Sequence, residues 1–378
     1  MKKLKNLNEL LNEAIIILKK IKQNDKICII YHDDSDGCCS AALFSVLVHD
    51  LINDYPLLFP VSGLENVNRT LMNRLRLANP DFVFAFDITV DPEWLEDFNG
   101  FVLDHHFFKE ISERENMPYL NPRTFENDDE KVPPVCYIVY RILKTMSPSE
   151  KISWIPAIGI TEDHRVDLCK DVFDEVKNDY PELLNNVEKI EQKIVESAFF
   201  GELSDMVRSG RMVRGNEGAK TAVLALVESK DRPDKFVNGL TQHSFALRRF
   251  YEKLTYETQN WLNDVERKGR FFKNEKVIFY EQKGMGLKGL TSFLSDKIRQ
   301  KYPEWIICVI NKEHEKGRAK ISIRLEQSKR NENLVYIIEE IKKKMPSIRG
   351  GGHKSAIGVF LHPDEVPYFE KEFLSLVK

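Results

Sequence analysis

Three apolar, strand-like runs in the first third of the chain each end in aspartate or histidine. One run precedes the segment His-Asp-Asp-Ser-Asp-Gly at 32–37, the second precedes Asp87, and the third precedes Asp-His-His at 104–106. Short apolar runs that alternate with helical patterns are typical of βαβ units with a parallel sheet. Because ligands bind beyond the carboxyl ends of such strands, we expect these polar side chains to meet at one edge of the sheet.

The alternation of strand and helix patterns also divides the chain. It continues to about residue 185, gives way to helical patterns, and returns before the C-terminus. We therefore predict an α/β protein with an N-terminal helix at 1–22, a catalytic domain with a parallel sheet at 23–185, a helical connector at 186–270 and a smaller α/β substrate-binding domain at 271–378. An active-site cleft is expected between the two α/β domains.

Composition limits the classes of function. The formal net charge of −3 argues against a surface that binds nucleic acid non-specifically, but a local basic groove is compatible with it. Six cysteines without a CxxC pair indicate reduced thiols rather than a zinc knuckle. The N-terminus predicts an amphipathic helix, which either packs on its own domain or docks a partner protein. No apolar run reaches the roughly 18 residues of a membrane span, so a cytoplasmic protein without membrane contact is expected.

The strand-end residues have the chemistry of a divalent-metal site. Asp34 and Asp36 are two residues apart, so on an extended strand end they share one side, and Gly37 permits a sharp turn. Taken alone, this segment is equally compatible with a helix-capping turn. Crowded carboxylates repel each other, however, and cations relieve that repulsion. Aspartate and histidine without cysteine favour Mn²⁺, with Mg²⁺ as the second choice, and two such ions would place a hydroxide for attack on phosphorus.

A glycine-rich motif near the C-terminus is a candidate phosphate site. Backbone N–H groups of consecutive glycines can cradle a phosphate, and neighbouring arginine and histidine side chains can add charge. Three glycines alone more often form a turn before a strand, but the metal-binding cluster in the same chain favours the phosphate interpretation. The candidate substrate-binding residues are Arg324, Arg349, Gly350, Gly351, Gly352 and His353.

The combination of motifs resembles a known family. The segment at 32–37, the strand-end Asp87, the Asp-His-His motif and Asp163 in Gly-Ile-Thr-Glu-Asp are similar to the four motifs of the DHH phosphoesterase superfamily. Gly-Gly-Gly-His at 350–353 resembles the signature of its DHH-associated C-terminal domain. This pairing is similar to RecJ-like nucleases and oligonucleotide phosphodiesterases and unlike family II pyrophosphatases. The size resembles a compact archaeal-type RecJ-like protein without the OB domain of longer bacterial RecJ.

The resemblance implies roles for individual residues. Two divalent ions would be bound, one by Asp34 and Asp87 with His32, the other by the remaining ligands, with Asp87 as the bridge. Glu162 is the alternative to its neighbour Asp163. The implied metal ligands are His32, Asp34, Asp36, Asp87, His105 and Asp163. The implied catalytic residues are Asp87, His106, which would face the scissile phosphate, and Asp104, which would orient the histidines.

Together these features predict a metal-dependent exonuclease that hydrolyses single-stranded DNA or RNA. A phosphodiesterase for short RNA oligonucleotides or for linear or cyclic dinucleotides would use the same motifs. A nucleic-acid-binding scaffold in a replication or repair complex is a third hypothesis. Expected partners are single-stranded nucleic acid or short oligonucleotides, together with replication or repair proteins. Arg208, Arg211 and Arg214 lie either on a wall of the substrate channel or on a solvated loop.

Overall fold

The computed structural model describes residues 4–62, 67–90, 92–107, 114–185, 187–282, 290–314, 317–326 and 332–377. The chain divides into two compact units, Met1–Glu252 and Lys253–Lys378. The helices are α1 (Leu7–Leu18), α2 (Ser35–Ile52), α3 (Arg69–Ala78), α4 (Val135–Met146), α5 (Trp154–Glu162), α6 (Lys170–Asp179), α7 (Gln192–Ser197), α8 (Phe199–Glu228), α9 (Pro233–Asn238), α10 (Gln242–Lys268), α11 (Leu290–Lys301), α12 (Leu334–Lys344) and α13 (Val366–Leu376).

The strands form one sheet in each unit. They are β1 (Ile27–His32), β2 (Leu57–Val61), β3 (Phe82–Phe86), β4 (Asn99–Leu103), β5 (Tyr119–Leu120), β6 (Arg270–Phe272), β7 (Val277–Glu281), β8 (Ile306–His314), β9 (Arg318–Arg324), β10 (Arg349–His353) and β11 (Ala356–Leu361). The order is β2-β1-β3-β4-β5 in the first unit and β10-β11-β9-β8-β7-β6 in the second.

The sheet of the first unit is parallel at every pairing between its described strands. Ile29, Phe84 and Phe101 stand in one register row across β1, β3 and β4. These three strands are buried almost completely, which is why each of them is a continuous apolar run rather than an alternating one. The predicted α/β fold with a parallel sheet is confirmed.

Helix α2 lies at the centre of the first unit's core. The ring of Phe44 packs with its centroid 4.7 Å from that of Phe84 and 4.8 Å from that of Phe86. The helix begins close to the end of β1, because a Cβ on Gly37 would lie 2.1 Å from the carbonyl oxygen of His32. Glycine is therefore needed at this position, and the start of α2 is fixed beside the carboxyl end of β1.

Helix α2 is also long and apolar enough, by length and composition, to cross a membrane. In the described part of the chain, α2 is the one helix with these properties, and 83% of its 18 residues are buried inside the protein. A core helix of a soluble protein has the same properties, so this observation is weak evidence for a membrane span.

The two helical regions predicted outside the catalytic domain both contribute to the first unit's core. Helix α1 buries Leu10, Ala14 and Leu18 in that core. Helices α7, α8 and α9, which lie in the segment predicted as a connector, bury side chains there as well. Within α8 the backbone leaves helical geometry at Gly215, where φ is 59°.

The second unit has a mixed sheet. Only β7 and β8 run parallel among the pairings of its described strands, and the others are antiparallel. Apolar side chains of α12 and α13 pack on one face, whereas Leu294 and Ile298 of α11 pack on the other. In register, His353 pairs with Ala356, which in turn pairs with Arg324, so these three backbone positions form one row across β10, β11 and β9.

Candidate metal centre

The predicted ligands are carried by the carboxyl ends of neighbouring strands. The backbone N–H of Asp87 donates to the carbonyl of Leu103, and that of Asp104 donates to the carbonyl of Leu120, at 3.0 and 3.1 Å. The chain is thus still hydrogen-bonded to the adjacent strand one residue beyond β3 and β4. This pairing fixes the backbone from which the polar side chains project, and it brings them to one edge of the sheet as expected.

The segment after β1 is both a helix cap and part of the cluster. Asp34 is the N-cap of α2, and its Oδ1 accepts a 3.0 Å hydrogen bond from the backbone N–H of Gly37. Its other oxygen, Oδ2, lies 2.6 Å from Nδ1 of His32. The two interpretations that the sequence left open are therefore compatible, since one carboxylate caps the helix and also faces the strand ends.

Asp87 stands at the centre of the cluster. Its Oδ2 lies 3.3 Å from Nδ1 of His32 and its Oδ1 lies 3.2 Å from Nε2 of His105. These contacts are close, but their geometry is not that of a hydrogen bond. Neither oxygen of the Asp87 carboxylate therefore has a hydrogen-bond partner among the described residues, although the side chain is buried. The backbone at Asp87 is left-handed, with φ of 60°, a conformation that is uncommon outside glycine although aspartate adopts it more readily than most residues.

All six predicted metal ligands come together, in groups whose candidate ligand atoms lie within 4.8 Å of one another. His105 links two of the groups, because its Nδ1 lies 3.6 Å from Oδ2 of Asp163 while its Nε2 faces Asp87. The groups are His32, Asp34 and Asp87; Asp36, His105 and Asp163; and Asp87, His105 and His106. The first two correspond to the two predicted ligand sets, with Asp87 between them.

The electrostatics of the cluster fit a bound cation. Burial, together with the negative charges of Asp87 and Asp163, raises the pKa of Asp36 well above its usual value. Burial also raises the pKa of Asp163, although His105 acts in the opposite direction. Carboxylates in such a position are costly to ionise without a counter-charge. A divalent cation would supply that charge and would give the two oxygens of Asp87 the partner that they lack.

Asp104 and His106 form a unit beside these groups. Nδ1 of His106 lies 2.8 Å from Oδ1 of Asp104, which also accepts the backbone N–H groups of His105 and His106. Oδ2 accepts from the hydroxyls of Thr89 and Tyr119. Burial alone would raise the pKa of Asp104, but its hydrogen bonds and the neighbouring histidines lower it far below its usual value. Asp104 therefore stays ionised and holds the imidazole of His106 by one nitrogen.

The acid beside Asp163 has a different role. Oε2 of Glu162 accepts a 2.7 Å hydrogen bond from the backbone N–H of Ser35, and its Oε1 lies 3.1 Å from Nε of Arg208. Burial raises the pKa of Glu162 to about 7, although Arg208 acts in the opposite direction. Of the two adjacent acids, Asp163 is thus the one in the cluster, and Glu162 ties the end of α5 to the start of α2.

The arginines of α8 lie against acids of the first unit. Nη1 of Arg211 donates to Oδ1 of the buried Asp33 at 3.1 Å, and Ser62 donates to the other oxygen of Asp33. Arg208 pairs with Glu162, whereas Arg214 is exposed. Two of the three arginines therefore support the segments that carry Asp34 and Asp163. The solvated loop is wrong for Arg208 and Arg211, which lie on helix α8, whereas a place on the wall of a substrate channel stays a prediction.

The predicted substrate-binding residues lie in the second unit. The glycines at 350–352 form the edge strand β10 rather than a turn, and they are exposed together with Arg349. Nε of Arg324 donates to Asp296 at 2.9 Å, and Nη1 of Arg349 donates to the carbonyl of Pro346 at 2.7 Å. The side chain of His353 lies outside the part of the chain that the structure describes.

Known proteins share this architecture. Residues 274–378 match the family model of the DHHA1 domain, whereas comparison with curated protein sequences finds no match. RecJ from Thermus thermophilus, in complex with Mn²⁺, is similar with a TM-score of 0.67 at 15% identity. The alignment covers 97% of this chain and 54% of that protein, so the chain spans about half its length.

Two further solved structures are similar along most of their own length. The DHH domain of PF0399, described as a member of the s1p family of ribosomal proteins, has a TM-score of 0.69 at 15% identity, with 98% of this chain and 90% of that chain covered. An exonuclease RecJ bound to manganese has a TM-score of 0.61 at 15% identity, with 97% and 94% covered. The chain therefore has a RecJ-like fold, and its residues 274–378 match the DHHA1 domain, as the predicted resemblance implies.

Proposed function

We propose that this protein is a metal-dependent phosphodiesterase that hydrolyses single-stranded nucleic acid as a RecJ-like exonuclease. The observation that carries the proposal is the cluster around Asp87, whose two buried oxygens lack hydrogen-bond partners among the described residues and face ligands on either side. The RecJ-like fold supports the proposal, and so does the manganese bound in two of the similar structures.

The cluster assigns a role to each group of residues. Asp34, His32 and Asp87 would hold one divalent ion, and Asp87 would share the second with the group that includes Asp36. When bound, the two ions would activate a water molecule and stabilise negative charge on the phosphate. Mn²⁺ is proposed because the donor set combines imidazole nitrogen with carboxylate oxygen, and Mg²⁺ is the alternative.

His106 is proposed to contact the scissile phosphate. Because Asp104 holds its Nδ1, the opposite nitrogen, Nε2, is free to donate a hydrogen bond to a phosphate oxygen. The side chain of His106 is 35% exposed, whereas that of His105 is 14% exposed, so His106 is the more accessible of the two histidines to a substrate. The exposed glycine strand β10 is proposed to bind phosphate through the backbone N–H groups on its outer edge.

An isosteric substitution tests the proposal. Asp87→Asn keeps the shape of the side chain but removes the bridging charge, so hydrolysis of an end-labelled single strand in Mn²⁺ should fall by more than about 100-fold, the upper range for losing a residue that only supports a metal ligand. Asp97→Asn, at an exposed aspartate paired with Arg76, is the matched control and should retain activity. Robust hydrolysis by Asp87→Asn at saturating Mn²⁺ would rule the assignment out.

The same assay separates the proposal from the alternative substrate class. The metal cluster serves short oligonucleotides or dinucleotides equally well, because it contacts only the phosphodiester. A long labelled strand and a dinucleotide should therefore be compared at equal concentration. Cleavage of the dinucleotide alone would replace the exonuclease proposal with a small-substrate phosphodiesterase.

A further inference from the structure

An exposed aromatic ring follows the Asp-His-His motif directly. Phe107 is 72% exposed, although the side chains of His105 and His106 just before it are buried or partly buried. A single exposed apolar side chain is ordinary on a protein surface. Phe107 differs from an ordinary exposed residue in the way that its ring is supported and in its position next to His106.

One face of the Phe107 ring rests on the guanidinium of Arg123. The guanidinium carbon lies 3.7 Å from the ring centroid, which is a stacking distance. Nε of Arg123 donates to the carbonyl of His105 at 2.6 Å, and Nη2 pairs with Asp129. The side chain of Arg123 is only 10% exposed. The ring therefore lies on a cation that is itself fixed to the backbone of the metal-binding motif.

The other contacts of Arg123 hold its guanidinium in place beneath the ring of Phe107. Nη1 is buried and has no hydrogen-bond acceptor among the described residues. The pairing partner Asp129 is held in turn by Arg165, whose Nη2 donates to its backbone carbonyl at 3.0 Å. A residue needed only for packing would bury its ring, whereas Phe107 is presented to solvent on a rigid support.

We propose that Phe107, supported by Arg123, is a nucleobase subsite that stacks on the base of the nucleotide whose phosphate lies at the metal centre. The inference rests on the proposed function, because a base is the planar group that accompanies a phosphodiester in nucleic acid. Aromatic side chains stack on any base, so the subsite suits a substrate that is not selected by sequence. The larger purine rings should be favoured over pyrimidines at this position.

The test compares strands that differ by one base. Three fluorescent oligonucleotides of one sequence are used. One is normal throughout, one has an abasic residue at its 5′ end, and one has an abasic residue at its 3′ end. In the wild-type protein the normal strand should have the lower KM by at least about fivefold at the end that is degraded, the lower range for one stacked base. In Phe107→Ala this difference should disappear, and in Phe107→Trp it should persist.

A matched control and a binding measurement complete the design. Phe245, on α10, is 61% exposed, and Phe245→Ala should preserve the discrimination between the strands. Fluorescence anisotropy in Ca²⁺ gives the same comparison without hydrolysis, so a wild-type protein that binds with base discrimination but does not cleave contradicts the proposed function and not the subsite. Equal losses of Phe107→Ala on normal and abasic strands, or wild-type binding that ignores the base, would overturn the subsite.

Discussion

The two regions that carry the candidate functional residues differ in the groups that they present to a ligand. The metal centre of the first unit buries charged side chains, and its central carboxylate, Asp87, has no hydrogen-bond partner among the described residues. The glycine strand of the second unit has almost no side chains to offer, and Gly350, Gly351 and Gly352 are exposed. One region thus relies on side-chain charge held by a rigid fold, and the other on bare backbone.

The two regions also differ in whether an unfavourable conformation has a structural explanation. Asp87 is buried and accepts no hydrogen bond from the described residues, although the imidazoles of His32 and His105 lie beside it. Its burial and its left-handed backbone both cost free energy, so stability alone does not account for this residue. In β10, the structure itself demands two of the glycines. A Cβ on Gly350 would lie 2.1 Å from the carbonyl oxygen of Gly358, and one on Gly352 would lie 2.2 Å from that of Ala356. Only Gly351 has open space around it.

The largest expected effect separates the regions by their response to metal. Mn²⁺ at about 100 times its dissociation constant should stabilise the wild-type protein by about 2.7 kcal/mol for each ion bound, because only the folded cluster binds it. Asp163→Asn removes a ligand of one of the two ions, so the part of the stabilisation that this ion supplies should be lost and turnover should fall by more than about 100-fold. Thermal unfolding with and without Mn²⁺ measures the first quantity, and strand hydrolysis measures the second.

Two controls locate that metal response. Asp167→Asn changes an exposed aspartate four residues away, which pairs with Lys170, and Gly351→Ala changes the other region. Both should keep the full stabilisation by Mn²⁺. A loss of metal response in Gly351→Ala, or an intact one in Asp163→Asn, would mean that the two regions are not separable as described.

The next effect concerns the support of His106. Asp104→Asn keeps the size of the side chain but weakens its hold on Nδ1 of His106, so kcat should fall by about 10- to 100-fold, as for other partners that orient a metal-site histidine. Tyr119→Phe removes one hydrogen bond to the same carboxylate but leaves its charge in place, and it should lose less activity. Steady-state kinetics on a single strand check both, and a Tyr119→Phe protein as weak as Asp104→Asn would contradict the assigned role of the charge.

A smaller effect on turnover, but a clear one on stability, is expected at the arginines of α8. Arg211→Met leaves Asp33 buried without its cation, which should cost about 3–5 kcal/mol in the free energy of unfolding. The exposed Arg214 is the matched control, and Arg214→Met should change that free energy by no more than about 0.5 kcal/mol. Urea denaturation measures both. Unchanged stability with a raised KM for Arg211→Met would favour the interpretation of this arginine as a wall of the substrate channel.

Much of the metal centre could be predicted because its residues follow apolar runs directly. A parallel sheet brings the ends of its strands to one edge, so a residue such as Asp87 or Asp36 is placed by its position after a strand or at a helix start. The hydrogen-bond partners of the site residues have no comparable position in the sequence pattern. Thr89 and Tyr119, which bind Asp104, and Arg211, which lies 178 residues from Asp33, meet only through the tertiary fold.

The structure also shows why the other motifs were harder to interpret. Arg208 and Arg211 are three residues apart and share a face of α8, whereas Arg214 directly precedes the break at Gly215 and is exposed. Three glycines taken alone are typical of a turn that leads into a strand, yet the pairing with β11 makes this segment itself a strand. The local sequence pattern reflects the intrinsic preference of glycine for turns. In this protein, however, the close approach of the β10 and β11 backbones makes the segment a strand.

The smallest expected effect tests whether the glycine strand binds phosphate at all. Gly351→Ala fits the open space at this position, so it should leave stability within about 0.5 kcal/mol while the added methyl group hinders approach of a phosphate to the backbone. KM for a long single strand should rise a few-fold, because weakening one hydrogen bond to a charged group costs less than the about 1.5–3 kcal/mol of losing it, and KM for a dinucleotide should not change. Gly350→Ala is the matched control for a purely structural role: its φ of 123° and the close carbonyl of Gly358 should make it destabilising by about 1–3 kcal/mol. If Gly351→Ala binds long strands as well as the wild type does, β10 is only an edge strand, and phosphate binding belongs to the metal centre alone.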